Sequence, residues 1–255
     1  MPWSLFVEYI LWLIVLVIIF KGYDKLINFE KTKKDFVFAH PKTEALWSFA
    51  VVGAMFIFTL ILVAAVPKQD ANIQHFGPGQ AFGQAFGVGL IFSPLWIVLA
   101  ARKQSFQSLG FHRHNLGKSL GLVVLFFASK ILFEVIVHHK HIRPQGEYIW
   151  GVFYFLSVGF GEEALFRGYF QTHLGNWIGK WKGLFIASLA FALVHVPHRL
   201  MMEGLSFPTA LLFSILSTLP GALFLGWIFL VTKNISAPIL IHALIEEPLD
   251  PFLFE

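Results

Sequence analysis

The sequence predicts an all-α protein that crosses a membrane several times. Hydrophobic residues make up 56% of its 255 residues and charged residues only 13%, about half of the roughly 25% charged share of a soluble domain. The mean hydropathy is +0.69. Because roughly 20 apolar residues form one helical crossing, this length can hold about eight crossings with short loops. These observations exclude a water-soluble enzyme and predict a single membrane domain over residues 1–255.

Eight apolar stretches separated by polar loops define the predicted helices. The first is predicted to be a retained signal anchor, because no small-residue cleavage site follows it. The sixth and eighth are too short to cross about 30 Å as straight helices, so we expect them to be embedded in the bundle or extended by polar ends. In chain order the stretches are roughly Trp3–Phe20, Ala45–Val66, Ala81–Ala101, Gly117–Val137, Tyr148–Phe170, Lys182–Val196, Phe207–Val231 and Ile235–Ile245.

The basic residues predict the orientation of these helices. On this map thirteen Lys and Arg residues fall in loops on one side and four in loops on the other. Since the richer side faces the cytoplasm, both termini are predicted to be non-cytoplasmic. The net charge of +4 is therefore explained by topology, and we expect no nucleic-acid partner. The chain has no cysteine, so any metal would have to be held by His or carboxylate side chains.

The fifth predicted helix carries two adjacent carboxylates and an arginine among apolar residues. Glu163 and Arg167 lie four residues apart and share a helical face, so we predict an ion pair between them. Glu162 points about 100° away from Glu163. Charges within a membrane span are costly and are usually paired or functional. Glu162 is therefore expected to have a role of its own, as a general base, in a proton relay or in an ion site.

Two histidines are predicted to lie near the depth of Glu162. At about 1.5 Å per residue from the lysine-rich side, Glu162 is roughly 12 Å, His195 about 20 Å and His242 about 13 Å into the membrane. Phe191 precedes His195 by one helical turn, and Glu246 follows His242 by one turn. A carboxylate with two imidazoles can activate water, hold Zn²⁺ with one open position, or relay protons.

Three motifs, one on each of the fifth, sixth and eighth predicted helices, resemble those of the CPBP intramembrane proteases. This family, also called Abi, comprises CAAX-processing and bacteriocin-processing endopeptidases. The resemblance covers about residues 145–247, which we predict to be the catalytic core. The matches are Glu162-Glu163-x-x-x-Arg167 to EExxxR, Phe191-x-x-x-His195 to FxxxH, and His242, after Asn234 and Pro238, to the last motif, usually HxxxN.

The resemblance implies an endopeptidase that hydrolyses a peptide bond of a membrane-associated protein or peptide, prenylated or otherwise sorted by its C-terminus. By this resemblance Glu162 and His195 activate water and His242 stabilises the oxyanion, while Glu163 and Arg167 hold the site together. A metal-free glutamate mechanism and a Zn²⁺ site of Glu162, His195 and His242 both remain open. One position departs from the family, since Glu246 stands where Asn is usual. An ionised carboxylate accepts hydrogen bonds, whereas an amide also donates them.

Two other classes of function are compatible with the sequence. A non-catalytic scaffold or immunity protein of the same fold is favoured by the unusual Glu246. A proton-coupled transporter would also place carboxylates and histidines within the membrane. Against a transporter, no pair of interrupted helices repeats between the two halves of the chain.

Overall fold

The computed structural model describes residues 3–29, 37–65, 77–143 and 146–246, without the side chains of residues 3–5, 62, 63, 65, 245 and 246. Within these ranges the regular structure is helical, which confirms the predicted all-α fold. The helices are α1 (Trp3–Ile27), α2 (Pro41–Ala65), α3 (Pro78–Ile91), α4 (Ser93–Ala101), α5 (Leu116–Val137), α6 (Tyr148–Glu163), α7 (Thr172–Ile178), α8 (Lys180–Val194), α9 (Val196–Met201), α10 (Phe207–Phe213), α11 (Leu219–Thr232) and α12 (Ser236–Ile241).

Six helical stretches of the described chain are long and apolar enough to cross a membrane. A seventh crossing is formed if α3 and α4, which meet at an angle of 49°, count as one broken span. The six stretches are Phe6–Ile27, Pro41–Ile61, Leu116–Val137, Tyr148–Ile178, Lys180–Met201 and Phe207–Thr232. The protein is therefore an integral multi-pass membrane protein, while the orientation of its termini stays a prediction.

The described residues thus hold six or seven candidate crossings, which agrees approximately with the predicted bundle of about eight helices. The third predicted helix is broken after Phe92, where Pro94 lacks the amide hydrogen that a continuous helix would use. The eighth forms only α12 and a π-helical turn, His242–Glu246, of six and five residues. Eleven residues at about 1.5 Å each fall well short of the roughly 30 Å hydrocarbon core.

Glycines bring α6 and the segment that follows it close to their neighbours. At Gly159 an added Cβ would lie 3.0 Å from the carbonyl oxygen of Ile239 and 3.6 Å from Cβ of His242. At Gly168 it would lie 2.8 Å from the carbonyl oxygen of Leu109. Small residues allow such backbone approaches between membrane helices. The contact at Gly159 sets α12 directly against α6, which carries the two predicted carboxylates.

Candidate active site

The two helices that carry the site change geometry at the site residues. After Glu163 the chain continues as a π-helical segment, Ala164–Gln171, in which every residue is buried. Another π-helical turn begins at His242. In this wider helical turn the hydroxyl of Thr172 donates to the carbonyl of Arg167, five residues earlier, at 3.2 Å. Such π-helical segments are frequent at functional sites.

Glu163 and Arg167 form the predicted ion pair. Nη1 of Arg167 lies 2.9 Å from Oε1 of Glu163, and the two side chains are 2% and 0% exposed. Nη2 of Arg167 also donates to the carbonyl of Ala222 on α11 at 3.4 Å. The guanidinium carbon lies 4.3 Å from the ring centroid of Phe191, a cation–π contact that covers one face of the charge. Arg167 is thus enclosed by a carboxylate, a carbonyl and an aromatic ring.

His242 lies between the two adjacent carboxylates. Its Nδ1–H donates to Oε1 of Glu163 at 2.8 Å. On the other edge of the ring, Nε2 lies 3.6 Å from Oε2 of Glu162. An ionised carboxylate can only accept, so the bond to Glu163 places a proton on Nδ1. Glu162 and Glu163 thus leave the helix in different directions, and their carboxylates reach the same imidazole from opposite sides.

The two carboxylates differ in their access to solvent and substrate. The side chain of Glu162 is 21% exposed, whereas that of Glu163 is fully buried and that of His242 is 7% exposed. Only an accessible group can contact a peptide or an attacking water. Of the adjacent pair, Glu162 has the access that a general base needs, and Glu163 has the position of a buried support.

His195 lies at the end of α8, where the helix breaks before Pro197. Its backbone amide bonds to the carbonyl of Ala192 at 3.3 Å, one residue short of the α-helical partner. The carbonyl of Phe191 instead accepts a hydrogen bond from Nδ1–H of His195 at 2.8 Å. A neutral imidazole with its proton on Nδ1 presents Nε2 as an acceptor. The break therefore fixes the tautomer of His195.

Phe191 connects the two histidines to the ion pair. Its ring centroid lies 4.8 Å from that of His195 and 6.1 Å from that of His242, both in edge-on geometry. Together with the contact to Arg167, these distances place Phe191 at the centre of the predicted residues. His198 lies close enough to Glu162 and to His195 for both to act on it electrostatically.

One predicted supporting residue, Asn234, lies away from the carboxylates and histidines. Asn234 is fully buried, and its Nδ2 donates to the carbonyls of His112 at 2.8 Å and His114 at 3.0 Å. Its Oδ1 accepts from the amide of Ser236 at 2.9 Å. Asn234 thus anchors the start of α12 to the loop before α5. The side chain of Glu246 lies outside the described residues, and its role stays a prediction.

Two contacts of this site were not foreseen from the sequence. The cation–π contact between Phe191 and Arg167 joins two separate motifs, which sequence spacing alone does not reveal. His198 was not among the predicted site residues. Its side chain is 58% exposed, as expected at an interface, but it also interacts electrostatically with Glu162. The available signal was its spacing of three residues from His195, which one helical turn would bring close.

The predicted zinc site was tested against the arrangement of these side chains. Among the described residues, no three or more His, Asp or Glu side chains are grouped so that they could hold one metal ion. The bond from Nδ1 of His242 to Glu163 leaves Nε2 of the same ring as the atom that could coordinate a metal. A Zn²⁺ site of Glu162, His195 and His242 therefore stays a prediction.

The second part of the chain, which carries the three motifs, matches a model of a known protein family. Residues 144–246, roughly two fifths of the chain, match the family model described as "Type II CAAX prenyl endopeptidase Rce1-like". Neither curated proteins nor solved structures yield a match to the chain. The matched range contains all three motifs and supports the resemblance to CPBP intramembrane proteases that the sequence predicted.

Proposed function

We propose that the protein is an intramembrane endopeptidase acting on a membrane-associated protein or peptide, because residues 144–246 match the Rce1-like family model of type II CAAX prenyl endopeptidases. The observation that carries the proposal is the contact of Glu162 and Glu163 with opposite edges of His242. A buried charge network around a partly exposed carboxylate is expected for general-base catalysis, since charges in a membrane span need a partner or a role.

Water activation is assigned to Glu162 and His195. Glu162, the exposed member of the carboxylate pair, takes a proton from the attacking water as the oxygen adds to the peptide carbonyl. Nε2 of His195 accepts the second hydrogen of that water and orients it. A positioned general base of this kind contributes typically 10²–10⁴-fold to the rate.

The proton then has a short path to His242. From Glu162 it moves to Nε2 of His242, 3.6 Å away, and forms an imidazolium. Glu163 stabilises this cation through the bond to Nδ1, as the aspartate does in a Ser-His-Asp triad. In that state Nε2–H donates to the oxyanion, and the proton finally passes to the leaving amine. Arg167 holds Glu163 in place through their ion pair.

Cleavage of a defined membrane peptide tests the proposal. The family description names prenyl CAAX proteins, so we extend that substrate class to this chain. We expect the protein in phosphatidylcholine liposomes to release C-terminal residues from a farnesylated CAAX peptide, as detected by mass spectrometry. The unprenylated peptide is the comparison. If it is cleaved at the same rate, the protein recognises the peptide and not the prenyl group. Intact peptides after prolonged incubation with wild type would contradict the proposal.

Metal content provides a separate prediction. Because the described side chains form no group suited to a metal, we expect the protein purified in the presence of a chelator to hold less than one equivalent of Zn²⁺ and to keep its activity. The measurement is elemental analysis beside the peptide assay. One equivalent of zinc that is lost in His195→Ala and His242→Ala, together with activity, would instead support the zinc mechanism.

A further inference from the structure

A cavity of about 480 Å³ lies at the lysine-rich end of the bundle, away from the candidate active site. Its walls come from the 3₁₀ turn Phe106–Leu109 and the loop after it, from α7 with the start of α8, and from the end of α11. None of the residues assigned above to hydrolysis lines it. Its volume is in the range of pockets that hold small molecules. The cavity is therefore a candidate binding site separate from the catalytic one.

The charge of this cavity selects anions. Lys180 and Lys233 line it, and no carboxylate is found among its described lining residues. Ser105, Gln107 and His112 add polar groups to the same wall. Two ammonium groups facing one concave surface attract a negatively charged group, and donors nearby can hydrogen-bond its oxygens.

The position of the cavity along the membrane normal identifies the source of the anion. Lys180 is the first residue of one membrane-spanning stretch and Lys233 directly follows another, which ends at Thr232. The cavity thus lies at the level where helices leave the hydrocarbon core and where lipid headgroups lie. Basic pockets between membrane helices at this level bind anionic headgroups.

We propose that this cavity binds the phosphate-bearing headgroup of an anionic phospholipid, with the phosphate held by Lys180 and Lys233. A bound headgroup would join the start of α8 to the end of α11. Gln171, which also lines the cavity, donates to the carbonyl of Gly226 on α11 at 3.0 Å. One turn away Arg167 donates to Ala222 on the same helix. The headgroup therefore reinforces the contact between α11 and the segment that carries Glu163 and Arg167.

Binding of short-chain lipids to the full-length protein in neutral detergent tests this site. The probes are dihexanoyl phosphatidylglycerol, dihexanoyl phosphatidylcholine and inorganic phosphate, and the readouts are the dissociation constant and the melting temperature. We expect phosphatidylglycerol to bind and to raise the melting temperature, and the other two probes to do neither. The variant Lys180→Gln/Lys233→Gln should weaken binding about 30-fold, at about 1 kcal/mol per lysine and 1.4 kcal/mol per factor of ten.

A matched variant controls for the loss of two charges. Lys42→Gln/Lys182→Gln removes two exposed lysines from the same predicted side, outside the cavity, and should retain wild-type affinity. Equal weakening in both double variants, or no binding of phosphatidylglycerol to wild type, would overturn the site. If inorganic phosphate binds as tightly as phosphatidylglycerol and loses this binding in the Lys180→Gln/Lys233→Gln variant, the lipid is overturned as the ligand. The cavity would then be assigned to a phosphate from solution. These readouts do not depend on peptide hydrolysis.

Discussion

Glu162→Gln is expected to lower the rate of peptide hydrolysis on the order of 10³-fold, within the usual contribution of a general base. The amide has nearly the same shape as the carboxylate but cannot take a proton from water. Because Glu162 is partly exposed and its contact with His242 is 3.6 Å long, the fold should tolerate this change. The measurement is the initial rate of cleavage of the farnesylated peptide, beside the melting temperature of each protein.

Glu8→Gln is the control for this loss of one carboxylate. Glu8 lies on α1, where its 40%-exposed side chain contacts His138, distant in sequence from the three motifs. The Glu8→Gln protein should cleave at the wild-type rate. A Glu162→Gln protein that melts like wild type and also cleaves like wild type would remove Glu162 as the base. Another residue would then have to act as the base.

Arg167→Met should give the largest loss of stability. The substitution leaves the carboxylate of Glu163 fully buried with only the bond from His242, since its ion pair with Arg167 is gone. Removal of one partner of a buried ion pair costs about 3–5 kcal/mol because the other charge remains desolvated. Methionine retains much of the apolar stem of arginine but has no charge. The measurement is the melting temperature in one detergent.

The double variant Glu163→Gln/Arg167→Met separates charge from packing. With both charges removed, no uncompensated ion remains, so the double variant should melt above Arg167→Met alone. It should also hydrolyse the peptide slowly, because the Glu163→Gln change leaves His242 with a neutral partner. If Arg167→Met melts at the wild-type temperature, or if the double variant is the less stable of the two, the pair does not stabilise the fold as described.

Hydropathy was sufficient to predict the fold class but not every crossing. Apolar composition is the same in a straight helix and in a broken one, so the predicted third helix contained no sign of the 49° bend except Pro94. The short α12 was recognised as too short, yet it was still counted as a crossing. Its position depends on contacts with α6 and with the loop held by Asn234, which involve distant parts of the chain.

In the site, too, a contact within one helix could be predicted from the sequence, whereas contacts between distant segments could not. A spacing of four residues predicted the ion pair of Glu163 and Arg167, because that contact lies within one helix. The contact of both carboxylates with His242 joins α6 to the turn after α12, 79 positions apart in sequence. The motif resemblance placed these residues in one site, but only the packing at Gly159 explains which edge of the ring each carboxylate reaches.

The short α12 changes how the thickness of the bilayer acts on the site. A spanning helix adapts to a thicker or thinner membrane by tilting, and α6 belongs to such a span. The described turn that carries His242 belongs to a segment too short to span, anchored by Asn234 at one end and packed on Gly159 of α6. We therefore expect the imidazole of His242 to keep its contacts with Glu162 and Glu163 when lipids of different length change the tilt of α6.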